Sequence, residues 1–310
     1  MLKNFHFINN KKITLIIVGA VLLVGILSFV IRGFNIGIDF TGGYEATIDL
    51  GETVTQEIAD DIKNIITSEK TLGTEYVNAV TYSETSVKIE SKAEMTAEQQ
   101  NKMVELICEK YTKASTEVDI SNISAVIGTK MLWNALLAVA IAAVLMLVYI
   151  GFRFEVASGF AAVICLLHDL FVMLVFYSLL QMPITSSVIA AFLTILGYSI
   201  NATIVVFDRI RENRKKLDGV SFGDVVNTSI HETMGRSVNT TITTVLTIGA
   251  IFVACAIAVI VSPTSNLDGL RDFAGTLIIG IGAGLFSSVF LSGMLWNALS
   301  GVFGKKAKKK

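Results

Sequence analysis

The sequence predicts a polytopic α-helical membrane protein with six transmembrane helices and one small α+β domain outside the membrane. Hydrophobic residues make up 53% of the 310 positions, charged residues make up 16%, and the mean hydropathy is +0.65. Such a chain is too apolar to keep its whole surface in water. The apolar residues form runs of about the 20 residues that cross a bilayer. Charged residues become frequent between the first run and the second, which marks the external domain.

The apolar runs define the six predicted spans. They are Ile13–Ile31, Met131–Phe152, Ala157–Leu180, Ile184–Phe207, Ser237–Val261 and Phe273–Leu299. The first run is longer than the roughly 7–15 apolar residues of a cleaved signal peptide and lacks a small-x-small exit, so we predict an uncleaved span. Lysine and arginine concentrate at alternate span ends and in the tail, and both prolines fall in the other loops. This distribution predicts a multi-pass protein of the cytoplasmic membrane with both termini inside.

The segment between the first two spans has the composition of a small soluble domain. Two helical patterns, Thr55–Ser68 and Thr96–Lys113, lie among four strand patterns. The strand patterns are Tyr44–Leu50, Glu75–Tyr82, Ser86–Ser91 and Glu117–Ile123. The order strand, helix, strand, strand, helix, strand predicts a ferredoxin-like βαββαβ sheet with both helices on one face. The charged residues follow the exposed helix faces, which indicates a solvated surface without a catalytic site.

These patterns divide the chain into four parts. Residues 1–33 hold the N-terminus and the first span, 34–128 the external domain, 129–304 the other five spans, and 305–310 a basic tail. Within the bundle, residues 209–236 form a charged, amphipathic segment. Its apolar positions at helical spacing are Phe222, Val225, Val226 and Ile230. We predict that Asp218–Arg236 lies as an amphipathic helix on the inner membrane surface.

Ionisable residues are rare inside the predicted spans, because a charged side chain costs about 2.5–3.5 kcal/mol at the bilayer centre. His168 and Asp169 lie halfway along the third span, near mid-membrane. Adjacent side chains on a helix point about 100° apart, so we expect that these two do not bond to each other. Asp169 is then available either to titrate or to accept hydrogen bonds from another helix or a partner subunit.

Two polar stripes mark the fourth and fifth spans. The stripe on the fifth span consists of Arg236, Thr240, Thr243 and Thr247. The stripe on the fourth span consists of Thr194, Tyr198 and Asn201. One interpretation is local, since threonines can bond their own i−4 carbonyls and an arginine near a span end can snorkel. The other is a polar interface between the two spans.

Small residues recur at every fourth position of the last span. They are Gly280, Gly284, Ser288 and Ser292. Such a face permits close approach of a neighbouring helix, which can belong to this chain or to a partner.

Three motifs carry a family resemblance. The fourth span continues into a charged end as LTILGYSINATIVVFDRIRENR (193–214), GIDFTGG (37–43) leads into the external domain, and RSVNTTITT covers 236–244. Together they resemble the SecF family of bacterial protein-export membrane subunits, whose fourth-span pattern is close to LGYSxNDTxVVFDRIRENR. One position differs, because Ala202 stands where that pattern has aspartate.

The resemblance implies half of a transporter of the RND superfamily in the bacterial cytoplasmic membrane. Such a half pairs with SecD and assists passage of exported polypeptides through the Sec translocon channel and across the lipid bilayer, using the proton-motive force. It also implies a polar membrane site around the aspartate position. We assign to this site Tyr198, Asn201, Ala202, Arg236, Thr240, Thr243, His168 and Asp169.

The GIDFTGG segment has a structural explanation. Its residues Gly37, Asp39, Phe40, Gly42 and Gly43 match the family motif. The paired glycines can adopt positive φ and turn the chain from the membrane into the first strand. We favour this structural turn over contact with a translocating polypeptide, and we expect the aspartate at the membrane interface.

Two other functions stay open. Because Ala202 cannot titrate, the chain could be a structural assembly subunit without its own proton coupling. A half-size RND-type exporter of lipids or small molecules is the other alternative, although about 85 residues are few for a ligand cleft. The sequence contains no phosphate loop, nucleophile elbow or metal-ligand pattern, so we predict no enzyme activity, no catalytic residue, no metal and no cofactor. We also expect no nucleic-acid binding, and no disulfide among three distant cysteines.

Overall fold

The computed structural model describes residues 6–68, 77–81, 85–92, 95–111, 114, 119–217, 219–261 and 267–307. In this part of the chain, six helices are long and apolar enough to cross a membrane. A small sheet with two helices follows the first of them. The predicted fold class, a six-span helical membrane protein with a small α+β domain, is confirmed.

The external domain has the ferredoxin-like topology that the sequence predicts. Its elements, which follow the first span α1 (Lys11–Ile31), are α2 (Ile38–Thr41), β1 (Gly43–Asp49), α3 (Gln56–Ser68), β2 (Val77–Thr81), β3 (Ser86–Ser91), α4 (Ala97–Lys110) and β4 (Asp119–Ile123). The sheet is antiparallel in the order β2-β3-β1-β4, so β1 is a central strand. Alternate residues of β1, namely Tyr44, Ala46 and Ile48, are fully buried. They share one core with Ile62 of α3 and Met103 of α4.

Helix α4 ends earlier than predicted. Its last residue is Lys110, and Tyr111 already has a non-helical backbone, so the predicted end at Lys113 was wrong. Residues 112 and 113 themselves lie outside the described residues, as do the predicted starts of the second and fourth strands at Glu75 and Glu117. At its N-terminus α4 has a capping box, in which Gln99 N–H donates to Thr96 Oγ1 at 3.3 Å. This reciprocal cap explains why the helix begins where it does.

The remaining spans are long helices. They are α5 (Ala125–Arg153), α6 (Val156–Leu180), α7 (Ser186–Lys216), α8 (Phe222–Val261) and α9 (Asp268–Phe286), followed by the π-helical turn Ser287–Leu291 and by α10 (Ser292–Ala307). Helix α7 lies at the centre and contacts α6, α8 and α9. Towards its C-terminal end the ring of Phe207 packs edge-on against the fully buried Trp296 of α10, with ring centroids 4.9 Å apart. By contrast, most side chains of α5 are exposed, so a lipid or another protein must cover this helix.

The apolar face of the amphipathic segment packs against protein. Helix α7 runs beyond the predicted end at Phe207, and residues 222–236 are the first turns of α8. Their apolar face is buried in the bundle core, where Val226 and Ile230 pack against Gly293 of α10. The expectation that lipid covers this face was therefore wrong. Periodicity reveals that a helix has an apolar face, but it does not reveal whether lipid or protein covers that face.

The small-residue face of the last span packs within this chain. A Cβ atom on Gly280 would lie 2.5 Å from Cγ1 of Ile195 in α7, and one on Gly284 would lie 3.3 Å from Cβ of Ser199. The next two members, Ser288 and Ser292, are fully buried. Close approach of α9 to α7 thus requires glycine at positions 280 and 284. The neighbouring helix, which the sequence did not identify, is therefore the fourth span, α7.

Candidate functional site

The GIDFTGG segment fastens the base of the external domain to the start of α7. Gly37 N–H donates to the Ile184 carbonyl at 3.0 Å, and Ile184 N–H donates to the Asn35 carbonyl at 2.8 Å. Asp39 Oδ2 accepts a hydrogen bond of 2.8 Å from Ser186 N–H, in the first turn of α7. The carboxylate therefore satisfies a free amide at the positive end of the helix dipole.

The two glycines at the end of the motif turn the chain into β1. Gly42 has φ of 75° and Gly43 has φ of 143°, values that side chains disfavour. Neither position has room for a Cβ atom, which would lie 2.4 Å from Cα of Ala125 or 2.3 Å from the Ser91 carbonyl oxygen. Phe40, between them and Gly37, is buried. The structural turn that the sequence predicts is thus present.

A buried polar cluster lies where α6, α7 and the π-helical turn meet. We call it the inner cluster and define it as His168, Asp169, Ser199 and Ser287. Asp169 is 1% exposed, and its Oδ2 atom accepts hydrogen bonds from the hydroxyls of Ser199 and Ser287, the latter at 2.8 Å. Its Oδ1 atom lies 3.0 Å from Nδ1 of His168. Every oxygen of this carboxylate therefore has a protein partner.

The expectation that His168 and Asp169 do not bond to each other was wrong. Their Cα–Cβ bonds diverge on the helix, but Nδ1 and Oδ1 are each only two bonds from Cβ, so side-chain rotations bring the two atoms together. Phe286 stacks on the imidazole, with ring centroids 5.8 Å apart and planes 28° apart. This contact helps hold the ring in the orientation that faces the carboxylate.

Sequence reasoning missed Ser199 and Ser287 as members of the cluster. Ser199 lies in the family motif between Tyr198 and Asn201, which belong to the outer face. It differs from them in being buried, and burial is visible only in the structure. Ser287 lies in the first turn of a π-helical segment, where Ser292 N–H bonds to the carbonyl five residues back. The extra residue in that turn changes which side of the last span faces α6. A prediction from the regular helical period does not take such an extra residue into account.

The other predicted site residues lie on an exposed face of α7 and α8. We call this the outer face and define it by Tyr198, Asn201, Ala202, Arg236, Thr240, Thr243 and Thr247. Ala202 is half-buried and follows Ser199 by one helical turn, whereas Asn201, Arg236 and the threonines are exposed. The structure thus separates the predicted set into an inner cluster with a carboxylate and an outer face that has none.

Hydrogen bonds on the outer face are mostly local. Thr243 donates to the Asn239 carbonyl at 3.1 Å, and Thr247 donates to the Thr243 carbonyl at 2.9 Å, as the local interpretation predicts. Tyr198 of the fourth-span stripe donates a hydrogen bond of 3.5 Å to Thr244, which lies beside the fifth-span stripe but is not a member of it. Because these hydroxyls donate to carbonyls of their own helix, their oxygen atoms can still accept hydrogen bonds from a group that covers the face.

The charged end of the α7 motif connects the neighbouring ends of several helices. Arg153 of α5 donates to both carboxylate oxygens of Asp208 at 3.1 Å. Arg209 Nε donates to Glu232 Oε2 of α8 at 2.6 Å. Between α7 and α8 an open cavity of about 420 Å³ is lined partly by Asp208, Glu232 and Arg236. The outer face is therefore open at the end that carries Arg236.

The fold and these sites define the class as one half of an RND-type membrane transporter. The family model described as protein export membrane protein SecD/SecF, C-terminal, matches residues 103–301. The protein translocase subunit SecF of Acidaminococcus fermentans is 34% identical over 312 residues, which cover 99% of this chain and 100% of that protein. The SecF subunit of Sebaldella termitidis is 36% identical over 277 residues, covering 88% and 85%. The chain belongs to the SecF family.

Some relatives carry SecF and SecD on one chain. The crystal structure of SecDF, a translocon-associated membrane protein from Thermus thermophilus, matches with a TM-score of 0.76 and 30% identity, covering 96% of this chain. The SecDF subunit of Bacillus subtilis is 29% identical over 96% of this chain. This chain spans 38% of the length of each of these proteins. The fusions imply that it associates with a SecD counterpart, and the relatives are named as translocase subunits, a transport component rather than an enzyme.

Proposed function

We propose that this chain is the SecF half of a SecDF-type assembly that assists protein export beside the Sec translocon channel, using the proton-motive force together with SecD. The observation that carries the proposal is the outer face, a group of exposed polar side chains on two membrane helices. Polar groups at membrane depth are costly unless they face protein or water. A SecD-type half would cover this face and complete the site.

A paired threonine variant tests the partnership. Thr243→Leu with Thr247→Leu removes two hydroxyls from the outer face without touching the chain's own core. We expect the fraction that copurifies with a SecD-type subunit in detergent to fall severalfold, while the heat stability of the chain alone stays unchanged. The matched control is Thr129→Leu, since this exposed threonine of α5 also bonds its own i−4 carbonyl, at 2.9 Å from Ala125. Equal copurification of both variants would place the interface elsewhere.

The carboxylate missing from the outer face should limit coupling. Moving one elementary charge through the membrane potential is worth about 2.3 kcal/mol per 100 mV, and alanine cannot carry that charge. We expect Ala202→Asp to increase protonophore-sensitive export of a secreted reporter from energised vesicles, with assembly unchanged. Equal protonophore-sensitive export by both forms would show that position 202 is dispensable for coupling.

A structural assembly subunit without its own proton coupling is the second candidate. Ala202 favours it, because the described outer face then offers no group that titrates near neutral pH. In this case the chain would stabilise its partner, and replacing every buried ionisable residue of the chain would leave protonophore-sensitive export unchanged. The Asp169→Asn variant therefore separates the two candidates in the same vesicle assay.

We also propose that both termini lie in the cytoplasm and that the external domain faces outward. The uneven distribution of basic residues supports this orientation. After replacement of Cys108, a single cysteine at the exposed Ser68 should react with an impermeant reagent added to intact cells, and one at Lys215 should not. Labelling at Lys215 before lysis would invert the orientation.

A further inference from the structure

We propose that the cavity between the C-terminal ends of α5 and α7 binds the phosphate headgroup of an anionic phospholipid, whose acyl chains lie along α5. We call it the basic cavity. It has a volume of about 410 Å³ and is lined by Arg153, Asp208, Arg211, Glu212, Lys215 and Lys216. The ligand comes from the membrane itself, so this proposal depends neither on proton coupling nor on the outer face.

The basic cavity carries more positive than negative charge. Four of its side chains are basic and two are acidic, which gives a formal charge of +2. Asp208 is shared, because it pairs with Arg153 at 3.1 Å and with Arg211 at 3.5 Å. Glu212 pairs with Lys216 at 2.7 Å. The two carboxylates therefore neutralise only half of the cations that line the cavity.

The helix dipoles do not account for the whole surplus. The C-terminus of a helix carries about half a negative charge, so the ends of α5 and α7 together offset about one positive charge. Lys215 makes no ion pair within the described part of the chain. Arg153 bonds Asp208 through Nη2, which leaves other donors of its planar guanidinium for a further acceptor. A phosphodiester with one negative charge therefore completes the charge balance.

An exposed apolar ridge of α5 leads to the basic cavity. Its side chains follow one another at steps of four residues, which places them on one ridge of the helix. They are Trp133, Leu137, Ile141, Leu145 and Tyr149, and the next step along the ridge is Arg153. Phe152, beside the arginine, is 90% exposed. The apolar surface that acyl chains would cover thus ends at the cation that would bind the phosphate.

The aromatic residues of this ridge indicate its depth in the membrane. Trp133 and Tyr149 lie about 24 Å apart along the helix axis, at 1.5 Å per residue. Tryptophan and tyrosine favour the two interfaces of a bilayer, whose hydrocarbon core is about 30 Å thick. Arg153 follows Tyr149 by one turn, so the basic cavity lies at the depth of the phospholipid phosphates. A soluble phosphate compound needs no apolar ridge, which favours a lipid as the occupant.

Native mass spectrometry of the complex with its SecD-type subunit tests the site, because it counts bound lipid molecules. The detergent-solubilised complex receives phosphatidylglycerol, or phosphatidylcholine with the same acyl chains. We expect wild-type protein to prefer phosphatidylglycerol. Arg211→Gln with Lys215→Gln removes the surplus charge and should lower this preference about fivefold or more, since one basic residue near an anionic headgroup is worth about fivefold in affinity.

The matched control is Lys11→Gln with Lys12→Gln. These exposed lysines begin α1, do not line the basic cavity and carry the same charge as the tested pair. The control should keep the preference for phosphatidylglycerol. An equal loss in both double variants, or no loss in either, would overturn the proposal. If the tested pair does not fold, Lys215→Gln alone should still lower the preference, by a smaller factor, and an unchanged preference there would overturn it as well.

Competition separates a lipid from a soluble phosphate and from a protein segment. Unlabelled phosphatidylglycerol should displace an isotopically labelled form, whereas glycerol phosphate, which lacks acyl chains, should leave the bound fraction unchanged. Displacement by both would show a soluble-phosphate site and overturn the lipid assignment. A preference that is present in the chain alone but absent from the complex would show that the partner covers the cavity, and this result would also overturn the proposal.

Discussion

Asp61 of the external domain and Asp169 of the membrane bundle each have hydrogen-bond partners on both oxygens, but in opposite surroundings. Asp61 bonds to Lys110 Nζ at 2.8 Å and to Tyr111 Oη at 2.6 Å, and its side chain is 37% exposed. The hydrogen bond from the Lys110 ammonium, followed by that from the tyrosine, lowers the pKa of this carboxyl group. Asp169 has hydroxyls and an imidazole in place of a fixed cation, and it is only 1% exposed.

The difference shows that burial decides how much a polar contact is worth. When an exposed carboxylate loses a partner, water replaces it, so the net cost is small. When a buried group loses a partner, nothing replaces it, and the desolvation penalty remains. Asp39 is intermediate, because it is half-buried where α7 begins. Four substitutions test this ordering, and they are described from the largest expected effect to the smallest.

Gly280→Leu should have the largest effect, because it breaks the packing that encloses Asp169. A Cβ atom at this position lies 2.5 Å from Ile195, so α9 must move away from α7. We expect a loss of about 3 kcal/mol in the free energy of unfolding, measured by SDS titration in mixed micelles. Gly282→Leu is the control, since a Cβ atom there meets nothing within 4 Å. Similar losses in both variants would mean that the α7–α9 contact does not dominate stability.

Ser199→Ala should cost about 2 kcal/mol in the same titration, because Asp169 loses one of two hydroxyl partners in a buried site. Thr194→Ala provides the comparison on the same helix. Thr194 is exposed and donates to its own i−4 carbonyl, Ala190, at 2.8 Å. Its loss should cost less than about 0.5 kcal/mol. The contrast between inner cluster and outer face fails if the two alanine variants are equally stable.

Asp39→Ala should cost about 1 kcal/mol, since it leaves the amide of Ser186 at the start of α7 without its acceptor. Hydrogen exchange of the first turn of α7 should accelerate at least severalfold. Asp39→Asn keeps an oxygen acceptor and should restore most of the protection. Equal exchange in all three proteins would show that solvent serves this amide as well as the carboxylate does.

Asp61→Asn should have the smallest effect, below about 1 kcal/mol, because the ion pair is exposed. The pKa of Asp61 is lower in the folded protein than its unfolded value of about 3.9, so the stabilisation is present above that value. It is lost as the pH falls through the folded pKa. Hydrogen exchange of α3 should therefore differ from wild type near neutral pH and converge in acid. Asp60→Asn, one residue away, is the control, since Asp60 accepts a hydrogen bond of 3.3 Å from the neutral side chain of Gln56.

Several features of this protein were predictable from sequence because they depend on neighbours along the chain. Apolar run length predicted the spans, since a bilayer has a fixed thickness. Alternation of strand and helix patterns predicted the ferredoxin-like order, and the absence of side chains at Gly42 and Gly43 predicted the turn. The charged end of the α7 motif and GIDFTGG carried the family resemblance, because their residue types are unusual at the ends of apolar helices.

The tertiary structure alone decided which side chains meet. A hydrophobic period shows that Val226 and Ile230 share a face, but it cannot show that Gly293 of another helix covers that face in place of lipid. The hydroxyl partners of Asp169 come from positions 199 and 287, which no local rule connects. The second partner, Ser287, also depends on the π-helical turn, which contains one residue more than a regular α-helical turn. This extra residue rotates the side chains of the last span away from the positions that a 3.6-residue period predicts. Contacts between distant segments depend on how whole helices pack, so they were visible only in the folded chain.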